Sequence, residues 1–200
     1  MNLAMDEAVQ AKPAGTMVSP SKLAHFVLRT SRYAEMLAWY KYVLNAEPAF
    51  ESEALAFLSY DDEHHRVAIL NIPELGDQPE GIAGVHHIAF TYDRLVDLLE
   101  NYERLAARGI EPVYSINHGP TTSLYYADPD QNQLEFQVEN FATVEESGKF
   151  FFSPAFAENP IGVEIDPADL LARLRAGEPE SELKRRPDVG SRDLSDVKLR

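Results

Sequence analysis

The chain has 200 residues, with 18 Lys plus Arg against 33 Asp plus Glu, giving a formal net charge of −15. Such a surface repels phosphates and anionic headgroups, which argues against nucleic-acid and membrane-surface partners. No cysteine is present, so disulfides, thiolate nucleophiles and Cys-ligated metals are excluded, and any metal must be held by His, Asp, Glu or other oxygen donors.

At 44% hydrophobic residues the chain can bury an ordinary core. No apolar run approaches the roughly 18 residues of a membrane span. The first residues, MNLAMDEAVQAKPAG, show neither a basic n-region nor an apolar h-region, so no secretory signal is read and a reducing cytoplasm is expected.

Residues 1–21 read as a polar leader with Pro13, Gly15 and Pro20. LAHFVLRT is a strand. SRYAEMLAWYKYVLN is a helix, with Tyr33, Leu37, Tyr40 and Leu44 at helical spacing. ALAFLSYDD and HHRVAILNI are two β-rich runs either side of an acidic turn. Residues 73–83, rich in Pro and Gly, connect to a restart of the pattern. VHHIAFTYD is a strand, and RLVDLLENYERLAARG is a helix with Gly109 as its C-cap. EPVYSI is a short strand, and SLYYADPDQNQLEFQV is a hairpin turning at Asp128-Pro129-Asp130. Residues 142–200 form a strap. It is aromatic at first, carries a short helix at about 167–176 that starts at Asp166-Pro167, and ends in charged residues.

The two halves look like a duplication. An offset of 62 pairs His25 with His87, Arg32 with Arg94 and Tyr40 with Tyr102. At the last hairpin the offset is 67, pairing Asp61 with Asp128 and Ala68 with Glu135. Each half is βαβββ, giving modules 22–72 and 84–141 within one α+β domain, 22–141.

The six histidines are His25, His64, His65, His86, His87 and His118. A strand histidine is most often a buried neutral ring with one hydrogen bond. Symmetry raises the interest of two of them. His25 and His87 occupy equivalent positions, and equivalent positions of a duplicated fold meet near its axis. Glu135 lies in QLEFQV, on the polar side of an alternating strand, which meets either solvent or a cleft. Together His25, His87 and Glu135 make a 2-His-1-carboxylate set, suited to non-haem Fe(II) working with oxygen. The symmetry partner of Glu135 is Ala68, which cannot ligate and so leaves coordination positions for substrate and O2.

AHFVLRT, GVHHIAF, INHG and LYYADPDQNQLEF resemble the vicinal oxygen chelate superfamily, and within it the type I extradiol ring-cleaving dioxygenases, over about residues 22–141. The tail GVEIDPADLLARLRAGEPESELKRRP resembles one on short single-domain members. The resemblance implies two paired βαβββ modules around an open, barrel-like metal cleft, and Fe(II)-dependent cleavage of a catechol-type diol with O2. It makes His25, His87 and Glu135 the metal ligands, with Mn(II) also compatible. His118 matches a histidine that hydrogen-bonds substrate, Tyr125 a tyrosine that contacts the catecholate, and His65 the acid or base on the oxygen side. His65 requires a turn or bulge, because a regular strand sets it opposite Ala68; His64 is its rival. A homodimer is expected, since a single short domain leaves sheet edges to cover. Other readings are a glyoxalase, epimerase or thiol transferase on the same scaffold, against which Ala68 counts, or a protein that sequesters a small aromatic ligand without chemistry.

Overall fold

Phe26 and Leu28 turn inward while Val27 and Arg29 face out, the period of two of a half-buried strand. This strand, β1 (Phe26–Thr30), opens the computed structural model, which describes residues 17–79 and 81–196. Residues 1–16 of the expected leader, Glu80 of the connector and the last four residues of the strap lie outside that range.

Helix α1 (Tyr33–Val43) follows because Met36, Leu37, Tyr40 and Val43 fall on one buried stripe. Then come β2 (Glu47–Glu51), β3 (Leu55–Ser59) and β4 (Val67–Asn71). They form a sheet in the order β1-β4-β3-β2, with β1 and β4 parallel. The second half repeats the plan with β5 (His87–Tyr92), α2 (Leu95–Ala106), β6 (Tyr114–Asn117), β7 (Thr121–Ala127) and β8 (Gln133–Glu139). Gly109, at φ +73°, carries the chain out of α2 through a left-handed residue.

The strap contributes α3 (Val144–Phe150), α4 (Pro154–Glu158), β9 (Val163–Glu164), α5 (Pro167–Arg175) and α6 (Glu180–Leu183). Helix α5 starts as its sequence dictates: Asp166 accepts from the amides of Ala168 and Asp169, and Pro167 takes the first turn. Strand β9 extends the second sheet, whose order is β5-β8-β7-β6-β9.

Register makes the duplication physical. Val27 pairs with Ala68 across β1 and β4, and Ala89 pairs with Glu135 across β5 and β8. These are the same positions carried 62 and 67 residues along the chain. The two sheets do not join into one, so the barrel is open, as the resemblance implied.

One hydrophobic core spans both modules. Leu58, Val67 and Ile69 of the first sheet and Leu134, Phe136 and Val138 of the second pack with α1, α2 and α5. Polar clamps cross between modules. The Tyr40 hydroxyl donates to Asp128 at 2.9 Å, and Arg32 donates to the Pro129 carbonyl at 2.8 Å. The faces of the sheets turned away from this core carry the residues of chemical interest. On the second sheet the strap covers part of that face, with Ile161 packed on Ile116 and Tyr125. On the first sheet Val27 is left half exposed.

Candidate active site

Alternation on β8 puts Leu134 and Phe136 in the core and turns Glu135 to the other face. There it meets His87, the first residue of β5, with Nε2 and a carboxylate oxygen 3.0 Å apart. Glu135 is 5% exposed. Burial pushes its pKa up, but hydrogen bonds from His87, Ser123 and Tyr125 outweigh that and hold it below the usual carboxylate range. Glu135 is therefore a carboxylate, kept charged in a buried place by donors around it.

Tyr125 faces Glu135 across the ladder, since the two residues pair in register. Its ring also meets the His87 ring edge-on, with centroids 5.2 Å apart. Burial, then the nearby Glu135 charge, raises the Tyr125 pKa, so its hydroxyl keeps its proton. His118 completes the cluster. Its Nε2 lies 3.0 Å from the Tyr125 hydroxyl and 4.0 Å from Glu135. Its Nδ1 lies 2.5 Å from the Ile161 carbonyl, which can only accept, so Nδ1 carries hydrogen. In the neutral ring Nε2 is then the acceptor, so it competes with Glu135 for the single Tyr125 hydroxyl proton. Burial lowers the His118 pKa and favours that neutral ring.

The turn that carries His118 is built by its neighbours. The Asn117 side-chain oxygen accepts from the Gly119 amide at 2.9 Å and from Asn140 at 3.1 Å. Gly119 sits at φ +106°, and a Cβ there would come within 2.3 Å of the Phe150 ring. This accounts for the N-H-G run.

His25 and His65 stand in the first module. His25 precedes β1, is exposed, and stacks near His65 with centroids 4.2 Å apart. His64 and His65 do not lie on β4, which starts at Val67; they sit in the turn after β3. This removes the conflict between His65 and Ala68, because strand alternation does not reach His65. Burial, then the charges of His25 and His64, lowers the His65 pKa, so its ring is neutral near pH 7. Phe57 lies 4.7 Å from His65 and pairs with Ala68, as Tyr125 pairs with Glu135.

The structure thus gathers His87, Glu135, Tyr125 and His118 at one centre, and His25 with His65 at another. Among the described residues no group of three His, Asp or Glu is collected at ligating spacing. The donors nevertheless suit a metal. The 3.0 Å between His87 Nε2 and Glu135 is the separation of neighbouring donors on an octahedral ion whose bonds are about 2.1 Å. Behind His87, His86 Nδ1 lies 2.8 Å from His87 Nδ1, so one ring donates to the other.

Three contributors escaped the sequence reading. Ser123 shares the face of Tyr125 two residues on, which strand alternation could have revealed. Phe57 occupies the place equivalent to Tyr125 by register, whereas the offset of 67 points to its neighbour Leu58. The Ile161 carbonyl, a backbone group on the strap, left no signal.

Residues 22–136 match the family model described as the Glyoxalase/Bleomycin resistance protein/Dioxygenase superfamily. Two curated proteins of Rhodococcus globerulus are similar over most of their length. "Biphenyl-2,3-diol 1,2-dioxygenase 2" is 47% identical over 164 residues, 82% of this chain and 86% of that one. "Biphenyl-2,3-diol 1,2-dioxygenase 3" is 43% identical over 172 residues, 85% and 90% of the two chains. Among solved structures, the fosfomycin resistance protein FosX from Listeria monocytogenes shares the fold at a TM-score of 0.52 and 24% identity, covering 66% of this chain and 99% of that one. A glyoxylase/bleomycin resistance protein/dioxygenase domain from Frankia sp. EAN1pec does so at 0.52 and 19%, covering 62% and 96%. The repeated modules, the open pair of sheets and the match over more than half of its residues establish that the chain belongs to the Glyoxalase/Bleomycin resistance protein/Dioxygenase superfamily.

Proposed function

We propose that this chain is an extradiol ring-cleaving dioxygenase, which opens the ring of a catechol-type diol beside its two hydroxyls and adds both atoms of O2. The observation that carries the reading is the buried Glu135 carboxylate 3.0 Å from His87, with His118 and Tyr125 against it. The names of the two Rhodococcus relatives support it.

His87 and Glu135 are proposed to hold Fe(II), with Mn(II) as the alternative the same donors accept, and His25, which stands at the other centre beside His65, is proposed as the third ligand on its equivalence to His87 in the duplication. When bound, the metal supplies a Lewis-acidic centre that keeps the diol oxygens beside O2 and lets electron density pass between them. The remaining work falls to this chain's own groups. His118 Nε2, whose ring hydrogen is committed to Ile161, accepts from a diol hydroxyl. The Tyr125 hydroxyl, which keeps its proton, donates to a substrate oxygen. His65, neutral and standing at the first-module side, takes up and returns a proton during turnover. Ala68 leaves room where its symmetry partner carries a carboxylate, and Phe57 offers the substrate an apolar wall.

Two copies are proposed to pair, because β2 is exposed along its whole length and Phe50 on it is 51% exposed. Among the described residues no helix is long and apolar enough to cross a membrane. The cytoplasmic location is part of the same proposal, on the sequence grounds given above.

The test is anaerobic reconstitution with Fe(II), metal analysis, and then exposure to air with a panel of catechols including biphenyl-2,3-diol. The reading expects about one metal per chain and a yellow ring-opened product formed as oxygen is consumed. A protein that binds no metal overturns the ligand set, and one that binds iron but opens no diol of the panel overturns the reaction.

A further inference from the structure

The strap does more than cover a sheet edge. Arg186, close to its end, is half-buried and points its guanidinium into backbone carbonyls. It donates to Asn159 at 2.7 Å, to Ala155 at 2.8 Å and to His118 itself at 3.3 Å, and lies 5.1 Å over the Phe150 ring. Asn159, 4% exposed, turns its side-chain oxygen onto the amides of Ile161 and Gly162 at 3.1 and 2.7 Å. That turn presents the Ile161 carbonyl to His118 Nδ1. Gly162, at φ +118°, is pressed so close that a Cβ would stand 2.4 Å from the Asn117 carbonyl. A single side chain therefore fastens both ends of the contact: the loop that carries His118 and the turn that carries its acceptor.

We infer that Arg186 is a positioning residue for His118, acting through Asn159 and Ile161 to hold its ring as the Nδ1–H form with Nε2 turned to the site. The inference rests on the reading of His118 as a substrate-facing group. Guanidinium suits the role because its planar fork bonds several carbonyls at once, which an ammonium cannot reproduce from one point. Part of the strap is also shared with a relative. The 47%-identical protein aligns with 164 residues of this chain, more than the 136 that precede the end of the superfamily match.

Arg186→Ala tests this, with Arg186→Lys as a milder second variant that keeps charge and bulk. The first readout needs neither metal nor activity. In ¹⁵N-histidine-labelled, metal-free protein, His118, assigned by the signal missing from His118→Ala, is expected to show fixed Nδ1–H in the parent and averaging toward Nε2–H in both variants. The second is turnover of biphenyl-2,3-diol, expected to fall about 10- to 100-fold, the loss usual when a group behind a reacting residue is removed. Guanidinium chloride at millimolar concentration is expected to enter the cavity of about 400 Å³ lined by Gly119, Phe150, Asn159 and Arg186. It is expected to restore turnover in Arg186→Ala but not in the double variant with His118→Ala, whose loss equals that of His118→Ala alone. A His118 signal unchanged in both variants overturns the inference, as does a loss of turnover that adds to that of His118→Ala. A parent protein that cleaves no diol while the tautomer shifts as expected leaves the positioning role standing and refutes the proposed function instead.

Discussion

Replacing Tyr40 by Phe removes one oxygen from the junction of the two modules and nothing else. Tyr40 lies fully buried on α1 and donates at 2.9 Å to Asp128, itself 1% exposed in the β7–β8 turn. Asp128 keeps two donors in the variant, the Asn132 amide and side chain, each at 2.8 Å. The phenyl ring keeps its packing, so no cavity opens. A hydrogen bond to a charged, buried partner is worth about 1.5–3 kcal/mol, and with part of the acceptor still satisfied a loss of about 2 kcal/mol is expected. At about 2–4 °C per kcal/mol for a chain of this size, the melting temperature falls by roughly 4–8 °C. The pH dependence has a definite sign. Burial raises the Asp128 pKa in the folded state, and bonds from Asn132 and Tyr40 oppose that rise. Ionising Asp128 therefore costs folding stability as pH climbs through its raised range, and losing Tyr40 makes that cost larger. The Tyr40→Phe penalty is greatest at neutral pH and shrinks on acidification. Urea unfolding of both proteins between pH 4 and 8 measures it. A penalty under about 0.5 kcal/mol at pH 7, or one that grows as pH falls, refutes this account of the junction.

Three further outcomes follow from the site. Glu135→Ala should fold but lose its metal, read as a drop from about one ion per chain toward none by elemental analysis; full retention would remove Glu135 from the ligand set. His65→Phe should keep the metal and lower turnover by about 10²–10⁴-fold, the usual span for a lost acid or base, while unchanged turnover would end its assigned role. Ala68→Glu places a carboxylate where symmetry would put a fourth ligand. It should bind metal at least as tightly as the parent in a calorimetric titration and lose ring cleavage by tenfold or more, and an active variant would show that the Ala68 side is not where substrate enters.

Much of the fold could be read from spacing because both modules use simple periods. Alternation in AHFVLRT and QLEFQV and the spacing of Tyr33, Leu37, Tyr40 and Leu44 each name a strand or helix without help, although the stripe the helix buries is Met36, Leu37, Tyr40 and Val43. The offsets 62 and 67 reappear as the pairs Val27–Ala68 and Ala89–Glu135 because a register is a sequence relation once the duplication is seen. Strand β2 was not named, since EPAFE has charged ends, a Pro and no buried residue; only pairing with β3, across an irregularity between Pro48 and Phe50, makes it a strand. At the site, His87 with Glu135 and His118 with Tyr125 were legible as residues. The bond that orients His118 was not, because it comes from a carbonyl 43 residues away on the strap. Backbone acceptors carry no residue signature, and where a strap lies on a sheet is settled by packing rather than by local pattern.

The most direct test of the central claim follows the oxygen. The Fe(II)-loaded protein is given biphenyl-2,3-diol under ¹⁸O2, and the ring-opened product is weighed by mass spectrometry. Extradiol cleavage predicts a yellow product carrying two ¹⁸O atoms and one O2 consumed per diol opened. A product with one labelled atom, or oxygen consumed without ring opening, would contradict it.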